Sequence, residues 1–196
     1  MRNISRKILF PLIAALGLLI TACSTEKEET EPIDSEGYRI YTIKAGEQEC
    51  DNVYKNIKTT VMHFSVKFDS SAVYTTKLPE NQYDINKLYG LADCNTAHHQ
   101  NSARMGWCWL KNQLEIHAYS YKNGERSSKF ITAIPIGKPA DMTIEMRDTT
   151  YLFTVNKVSV ELPRACNGLG EGYKLYPYFG GDEMAPHDIF VKVKDL

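Results

Sequence analysis

Between Val61 and Asp69 every second residue is apolar: Met62, Phe64, Val66 and Phe68 alternate with His63, Ser65 and Lys67. A period of two cannot serve a helix, whose faces repeat every 3.6 residues, and it specifies a half-buried strand. The same alternation returns in Met142–Met146, Val158–Leu162 and Ile189–Val193, and strands are also expected over Tyr38–Lys44 and Tyr151–Val155. Clusters of Gly, Pro, Asn and Asp punctuate these runs, as turns require. Only Asn81–Leu91 and the stretch Asn95–Ser102 read as short helix. Many short antiparallel strands with one apolar face predict an all-β fold, an antiparallel β-sandwich.

The size and strand count resemble the concanavalin A-like jelly rolls common among bacterial glycan-handling proteins. That resemblance implies a fold and no activity.

The amino terminus belongs to a different problem. Met1 to Lys7 carries three positive charges and no acid, and an apolar run from Ile8 to Ile20 follows. That is the plan of a signal peptide, and the run is shorter than the ~20 residues needed to span a bilayer. Leu19-Ile20-Thr21-Ala22-Cys23 resembles the lipobox of bacterial lipoproteins, which implies cleavage before Cys23 and lipidation of that cysteine. More than one acyl chain anchors a protein stably, so the lipid bilayer is an expected partner. Residues 23–36 are acidic and poor in core formers, and are expected to act as a tether. The acidic cluster behind Cys23 resembles the signal that sends Bacteroidetes lipoproteins to the cell surface, with the periplasmic face of the outer membrane as the alternative. The organisation read from the sequence is therefore a signal peptide (1–22), a lipidated tether (23–36) and a single domain (37–196).

The signal holds three of the 23 basic residues, and residues 26–36 hold six of the 24 acids and one lysine, which leaves 19 basic against 18 acidic residues from Gly37 onward. A domain without a net basic field is a poor nucleic-acid binder, because phosphate neutralisation drives that association. Four cysteines remain after Cys23, namely Cys50, Cys94, Cys108 and Cys166. An exported domain permits disulfides, and three pairings of four cysteines are possible. None forms a Cys-x-x-Cys pair, so zinc ribbon and thioredoxin-like chemistry have little support.

The most informative region runs from Asn101 to Ile136. Asn123-Gly124 suits a two-residue type I′ turn, which sets Tyr121 opposite Arg126, Tyr119 opposite Ser128 and His117 opposite Phe130. Upstream, Lys111-Asn112 turns a second hairpin. An even loop there puts Trp107 and Trp109 with Leu114, Ile116 and Ala118 in the core, and leaves Arg104, Gly106, Glu115, His117, Tyr119 and Tyr121 on the other face. In that register Gly106 leaves room beside the imidazole for a ligand. An odd loop turns both tryptophans outward as stacking platforms instead. A face of His, Tyr, Arg and Glu suits sugars, whose C–H faces pack on rings and whose hydroxyls need donors and acceptors. A solvated sheet face with cross-strand Tyr and His pairs is the plainer reading.

His98 and His99 adjoin in the loop before this hairpin. Neighbours on an extended strand point to opposite faces, so they are not expected to share a metal ion without a turn. His99 and Asn101 are instead candidates for the rim of a binding site. Gly172 to Ile189 is the most distinctive stretch, and with Asn101–Trp107 it is similar to segments of Bacteroidetes surface lipoproteins, a resemblance that carries no catalytic residues. Its Asp182, Glu183 and Asp188 are hard oxygen ligands and candidates for calcium, although their spacing follows no EF-hand. No other metal or cofactor is expected.

Three functions follow. The first is binding or handling of a glycan without chemistry, with His99, Asn101, Arg104, Glu115, His117, Tyr119 and Tyr121 as ligand-binding residues. The second is a polysaccharide lyase acting on acidic polysaccharide, with Arg104 neutralising the uronate carboxylate, and His117 and Tyr119 as base and acid. A glycoside hydrolase is less well supported, since no second acid joins Glu115 on the expected face and both standard mechanisms use two. The third is a structural or adhesive lipoprotein that binds another protein through a sheet edge or an aromatic patch.

Overall fold

The computed structural model describes residues 32–196. The expected signal peptide, the lipidation site Cys23 and the tether up to residue 31 lie outside the described residues. Pro32 to Glu36, the last residues read as tether, lie against the domain: Ile33 bridges Arg39, and Asp34 accepts from Lys192 Nζ at 2.9 Å. No helix among the described residues is long and apolar enough to cross a membrane.

Two six-stranded antiparallel sheets pack face to face. The first runs in the order β1 (Arg39–Ile43), β12 (Ile189–Asp195), β3 (Val61–Phe68), β8 (Ala140–Met146), β9 (Thr150–Val155), β10 (Val158–Pro163). The second runs β2 (Asn56–Thr59), β11 (Gly170–Leu175), β4 (Asn86–Ala92), β5 (Ser102–Leu110), β6 (Gln113–Lys122), β7 (Glu125–Ile134). The all-β sandwich predicted by the alternating pattern is the fold observed. Each strand read from period two is present: Phe64, Val66 and Phe68 of β3 and Ile144 of β8 are fully or almost fully buried, and so is Phe153 of β9. They face Met105, Trp107, Leu114 and Ile116 of the second sheet across one continuous core.

Both turns of the central meander follow from residues that tolerate positive φ. Asn123 and Gly124 take φ of 51° and 84°, and Lys111 and Asn112 take 51° and 60°. The resulting register pairs Tyr121 with Arg126, Tyr119 with Ser128 and His117 with Phe130, as expected. Leu110 pairs with Gln113, so the upstream loop is even and the odd-loop alternative is excluded. Trp107 is sealed in the core beside Phe68 and Tyr74, and Trp109 packs against its edge.

The helix expected over Asn81–Leu91 does not form. A single 3-10 turn spans Pro79–Tyr83, and the chain from Asn86 is the central strand β4. The register of β4 against β5 slips between Lys87 and Tyr89, so Leu88 is the extra residue of a bulge. Leu88, Tyr89 and Leu91 are then all buried, a spacing that imitates a helix face in the sequence. Asn95–Ser102 forms turns rather than a helix, opening with Cys94 and Asn95 at positive φ and leading into β5.

Of the three possible cysteine pairings, the structure forms Cys94–Cys166, and Cys108 keeps a buried free thiol. Beside the disulfide lies a buried ion pair, Asp93 with Arg164 Nε at 2.8 Å, both side chains inaccessible to solvent.

Candidate functional site

A cavity of about 510 Å³ opens over the outer face of the second sheet. Its floor is the polar face of the meander: Lys87 from β4, Arg104 from β5, Tyr119 and Tyr121 from β6, and Arg126 from β7. One wall is the turn carrying His98 and His99; the other is built from Tyr176 to Gly181, together with Glu49, Asn52 and Tyr54.

Local structure explains each of these placements. The bulge at Leu88 directs Lys87 outward, where its Nζ donates to Gly180 O at 2.7 Å and lies 5.4 Å from the centroid of the Tyr119 ring. Gly90 pairs with Arg104, and a Cβ at Gly90 would sit 2.0 Å from Ala103 O, so only glycine lets β5 approach so closely. After Pro177 the chain resumes pairing: Tyr178 N donates to Lys87 O and Lys87 N to Tyr178 O, at 2.9 and 2.8 Å. This brings the Tyr178 ring over Lys87.

Arg104 is the unusual group. It is 5% exposed, its guanidinium carbon lies 5.3 Å from the Tyr119 ring centroid, and its buried Nε has no hydrogen-bond partner among the described residues. Buried cations in folded proteins are normally matched by a carboxylate or a full set of acceptors, because an uncompensated one costs several kcal/mol. Among the lining residues Glu49 is the single carboxylate, against Lys87, Arg104 and Arg126. Burial, followed by the charge of Arg104, holds the Lys87 ammonium down to about 8. Burial also lowers His98 to about 4, aided by Arg104 and His99, so this imidazole is neutral at pH 7. Burial and the interaction with Tyr121 push the Tyr119 phenol up, so it is a hydrogen-bond donor throughout the neutral range. The site is a positively charged, aromatic-lined cleft suited to an anion that also presents apolar ring faces.

Of the residues singled out from the sequence, His99, Arg104, Tyr119 and Tyr121 come together in this cavity. The His99 ring lies tilted beside Tyr121 and edge-on to His98, with centroid separations of 5.4 and 4.2 Å. The two imidazoles share one side because residues 97–101 form a turn, closed by Gln100 N and Asn101 N donating to Ala97 O. Asn101 is buried and holds the loop instead of lining the rim. It accepts from Asn123 N at 2.9 Å and donates to Thr96 Oγ1, tying the loop to the Asn123-Gly124 turn. Glu115 and His117 lie on the same sheet face but do not line the cavity. His117 Nε2 is 3.2 Å from Glu115 Oε2, Phe130 covers the ring, and Cys108 Sγ is 3.7 Å away. Burial lowers the His117 imidazole, opposed by Glu115, and raises the Cys108 thiol to about 12. Space beside Gly106 is filled by the Ile85 side chain, which a Cβ would meet at 2.4 Å, so the expected ligand approach there is closed.

Of the three acids proposed for calcium, Glu183 and Asp188 hold loops through their carboxylates, and Asp182 is tied through its backbone. Glu183 accepts from Lys77 N, Leu78 N and Asn81 Nδ2 at 2.8–2.9 Å, which lowers its carboxyl below the usual range. Asp188 accepts from Ala45 N, and Asp182 N donates to Asp84. Sequence reading missed Lys87, His98, Arg126 and Tyr178. Tyr178 and Gly180-Gly181 belong to the stretch singled out as most distinctive, and its aromatics and glycines, rather than its acids, meet the cavity.

No family model matches the chain, and no curated protein does. Solved structures share its fold. A Bacillus licheniformis beta-glucanase aligns over 86% of this chain and 82% of its own at 8% identity, with a TM-score of 0.56. The alginate lyase AlyC3 aligns over 86% and 79% at 11% identity, with a TM-score of 0.54. Alginate lyase A1-II', described as a member of polysaccharide lyase family-7, aligns over 85% and 83% at 14% identity, with a TM-score of 0.50. At such identities the likeness is one of fold, a jelly-roll β-sandwich of the concanavalin A-like kind.

Proposed function

We propose that this domain binds an acidic glycan in the cavity over β4–β7, and that it does so as a lipid-anchored protein held by Cys23 at the outer membrane, facing the cell exterior. The observation that carries the binding proposal is Arg104: a buried guanidinium without a carboxylate partner among the described residues, opening onto a cleft lined by phenols and imidazoles. A sugar carboxylate supplies the missing countercharge as a planar acceptor for the guanidinium fork, and Tyr119, Tyr121 and Tyr178 offer ring faces and hydroxyls to the pyranose. Fold neighbours named for polysaccharides, two alginate lyases and a beta-glucanase, support a glycan as the ligand class. The outer-surface location rests on the signal peptide, the lipobox-like pentapeptide and the acidic residues behind it.

Affinity electrophoresis through acidic and neutral polysaccharides tests the proposal. Retardation is expected in the acidic gels only. Arg104→Met removes a charge-assisted hydrogen bond worth about 1.5–3 kcal/mol, so binding should weaken roughly 10- to 150-fold. Because that substitution also removes an unmatched buried cation, the unfolding midpoint should hold or rise. Equal migration in every gel, or Arg104→Met that unfolds the protein while binding persists, refutes the proposal.

β-Elimination on the same ligand is the second reading, favoured by Arg104 and Tyr119 lying side by side on the floor of the cavity. The base read from the sequence, His117, is held against Glu115 outside that cavity, which argues for binding over turnover. Growth of unsaturated uronide absorbance on mixing with acidic glycans decides for the lyase.

A further inference from the structure

Cys108, Glu115 and His117 are absorbed by none of the roles above. The β5–β6 ladder pairs Cys108 with Glu115 and Gly106 with His117, so the three side chains leave one face of the sheet side by side. Cys108 Sγ lies 3.7 Å from His117 Nε2 and 4.0 Å from Glu115 Oε2, and Nε2 lies 3.2 Å from Oε2. The hydrogen bonds of these three groups, among the described residues, are to one another, and a thiol at such distances is a weak partner.

The same triangle has a second meaning. A tetrahedral zinc ion holds sulfur at about 2.3 Å and nitrogen or oxygen at about 2.0–2.1 Å, which places neighbouring ligand atoms roughly 3.3–3.6 Å apart. The observed edges match within a few tenths of an ångström, and all three ligand atoms converge without any backbone change. Cys108 is 1% exposed, whereas the His117 and Glu115 side chains retain 13% and 16% of their accessibility, so solvent reaches the triangle from one side. The disulfide is formed by Cys94 and Cys166, and the Cys108 thiol remains reduced to act as a ligand.

We infer that Cys108 Sγ, Glu115 Oε2 and His117 Nε2 form a three-ligand zinc site, with the fourth position open to water. The donor set selects the metal: a thiolate and an imidazole favour zinc over calcium or magnesium, which take oxygen ligands. Binding displaces the thiol proton to solvent, so uptake of zinc releases protons. Ligation also occupies His117 Nε2 and clamps the centre of β5 to β6, independently of any glycan in the neighbouring cavity.

The test uses the purified full chain without a polyhistidine tag, stripped with a chelator. Zinc titrated against a chromophoric chelator should bind one ion per chain, and cobalt substitution should give visible ligand-field bands with a near-ultraviolet sulfur-to-metal charge-transfer band. Cys108→Ala should remove that band and weaken zinc by at least ~100-fold, the upper end of what an outer-shell partner costs. Glu115→Gln and His117→Gln should each weaken zinc as well, while His98→Gln and His99→Gln leave it unchanged. Zinc should also slow alkylation of Cys108 in the unsubstituted chain, a readout that needs no variant. Unaltered zinc affinity in Cys108→Ala, or an alkylation rate indifferent to zinc, overturns the assignment.

Discussion

Removing the carboxylate of Asp93 should be among the most damaging single changes available to this fold. Its two oxygens accept from Arg164 Nε, Tyr151 OH, Glu171 N and Cys94 N at 2.7–2.9 Å. Asp93 follows β4, Arg164 follows β10 and Glu171 lies in β11, so the carboxylate joins the two sheets at the end of the sandwich that carries the disulfide. Neither partner of the ion pair is exposed, so solvent screening gives no relief. In Asp93→Ala the guanidinium keeps the carbonyls of Arg147, Gly168 and Leu169 but loses its countercharge. Stranding one member of a buried pair costs about 3–5 kcal/mol. For a domain of this size that lowers the melting temperature by roughly 6–20 °C, at about 2–4 °C per kcal/mol. Urea unfolding followed by tryptophan fluorescence measures it, since Trp107 is sealed in the core. Arg164→Met added to Asp93→Ala should recover part of the loss by removing the orphaned charge. A loss below about 1 kcal/mol in Asp93→Ala, or a double variant worse than the sum of the singles, refutes the reasoning.

Reduction of Cys94–Cys166, which closes a loop of 72 residues, should cost about 4 kcal/mol by the loop-entropy relation, seen as a lower urea midpoint with reductant. Lys87, held down to about 8 by burial, loses its charge as pH rises through that value, so binding of an acidic glycan should weaken above pH 8 in titrations. The unliganded protein should instead gain stability between pH 8 and 10.5, because there the unfolded lysine binds the proton that the folded one has released. His98 has the same sign of slope in a lower window: its folded pKa of about 4 lies below the ordinary 6.5, so stability should fall as pH drops from 6.5 to 4, measured by thermal melts. Cys23→Ala should abolish incorporation of labelled palmitate and release the protein from the membrane fraction.

What could be read in advance was whatever local chemistry decides. Period-two strands and two-residue turns with residues that accept positive φ gave the register of β5, β6 and β7, and hence the shared face of Arg104, Tyr119 and Tyr121. A bulge is decided by tertiary pairing, so β4 was misread: Leu88, Tyr89 and Leu91 carry the spacing of a helix because one residue is extruded. Lys87 went unnoticed for the same reason. His117 was placed on the correct face but in the wrong company, since sheet alternation specifies a side and says nothing of where along it a cavity opens. The turn that swings His98 beside His99, and the return of Tyr178 to pair with Lys87 across 91 residues of sequence, are long-range events without a local signature.

That return has a consequence for how the protein comes to function. The cleft borrows its walls from Glu49–Tyr54 near the start of the domain and Tyr176–Gly181 near its end, while the floor comes from the middle. No fragment emerging in order from a ribosome or a secretion channel holds all three. The cleft is therefore complete only in the fully folded domain, and on the proposed function a bound sugar would add its free energy to the stability of the whole sandwich rather than to any one hairpin.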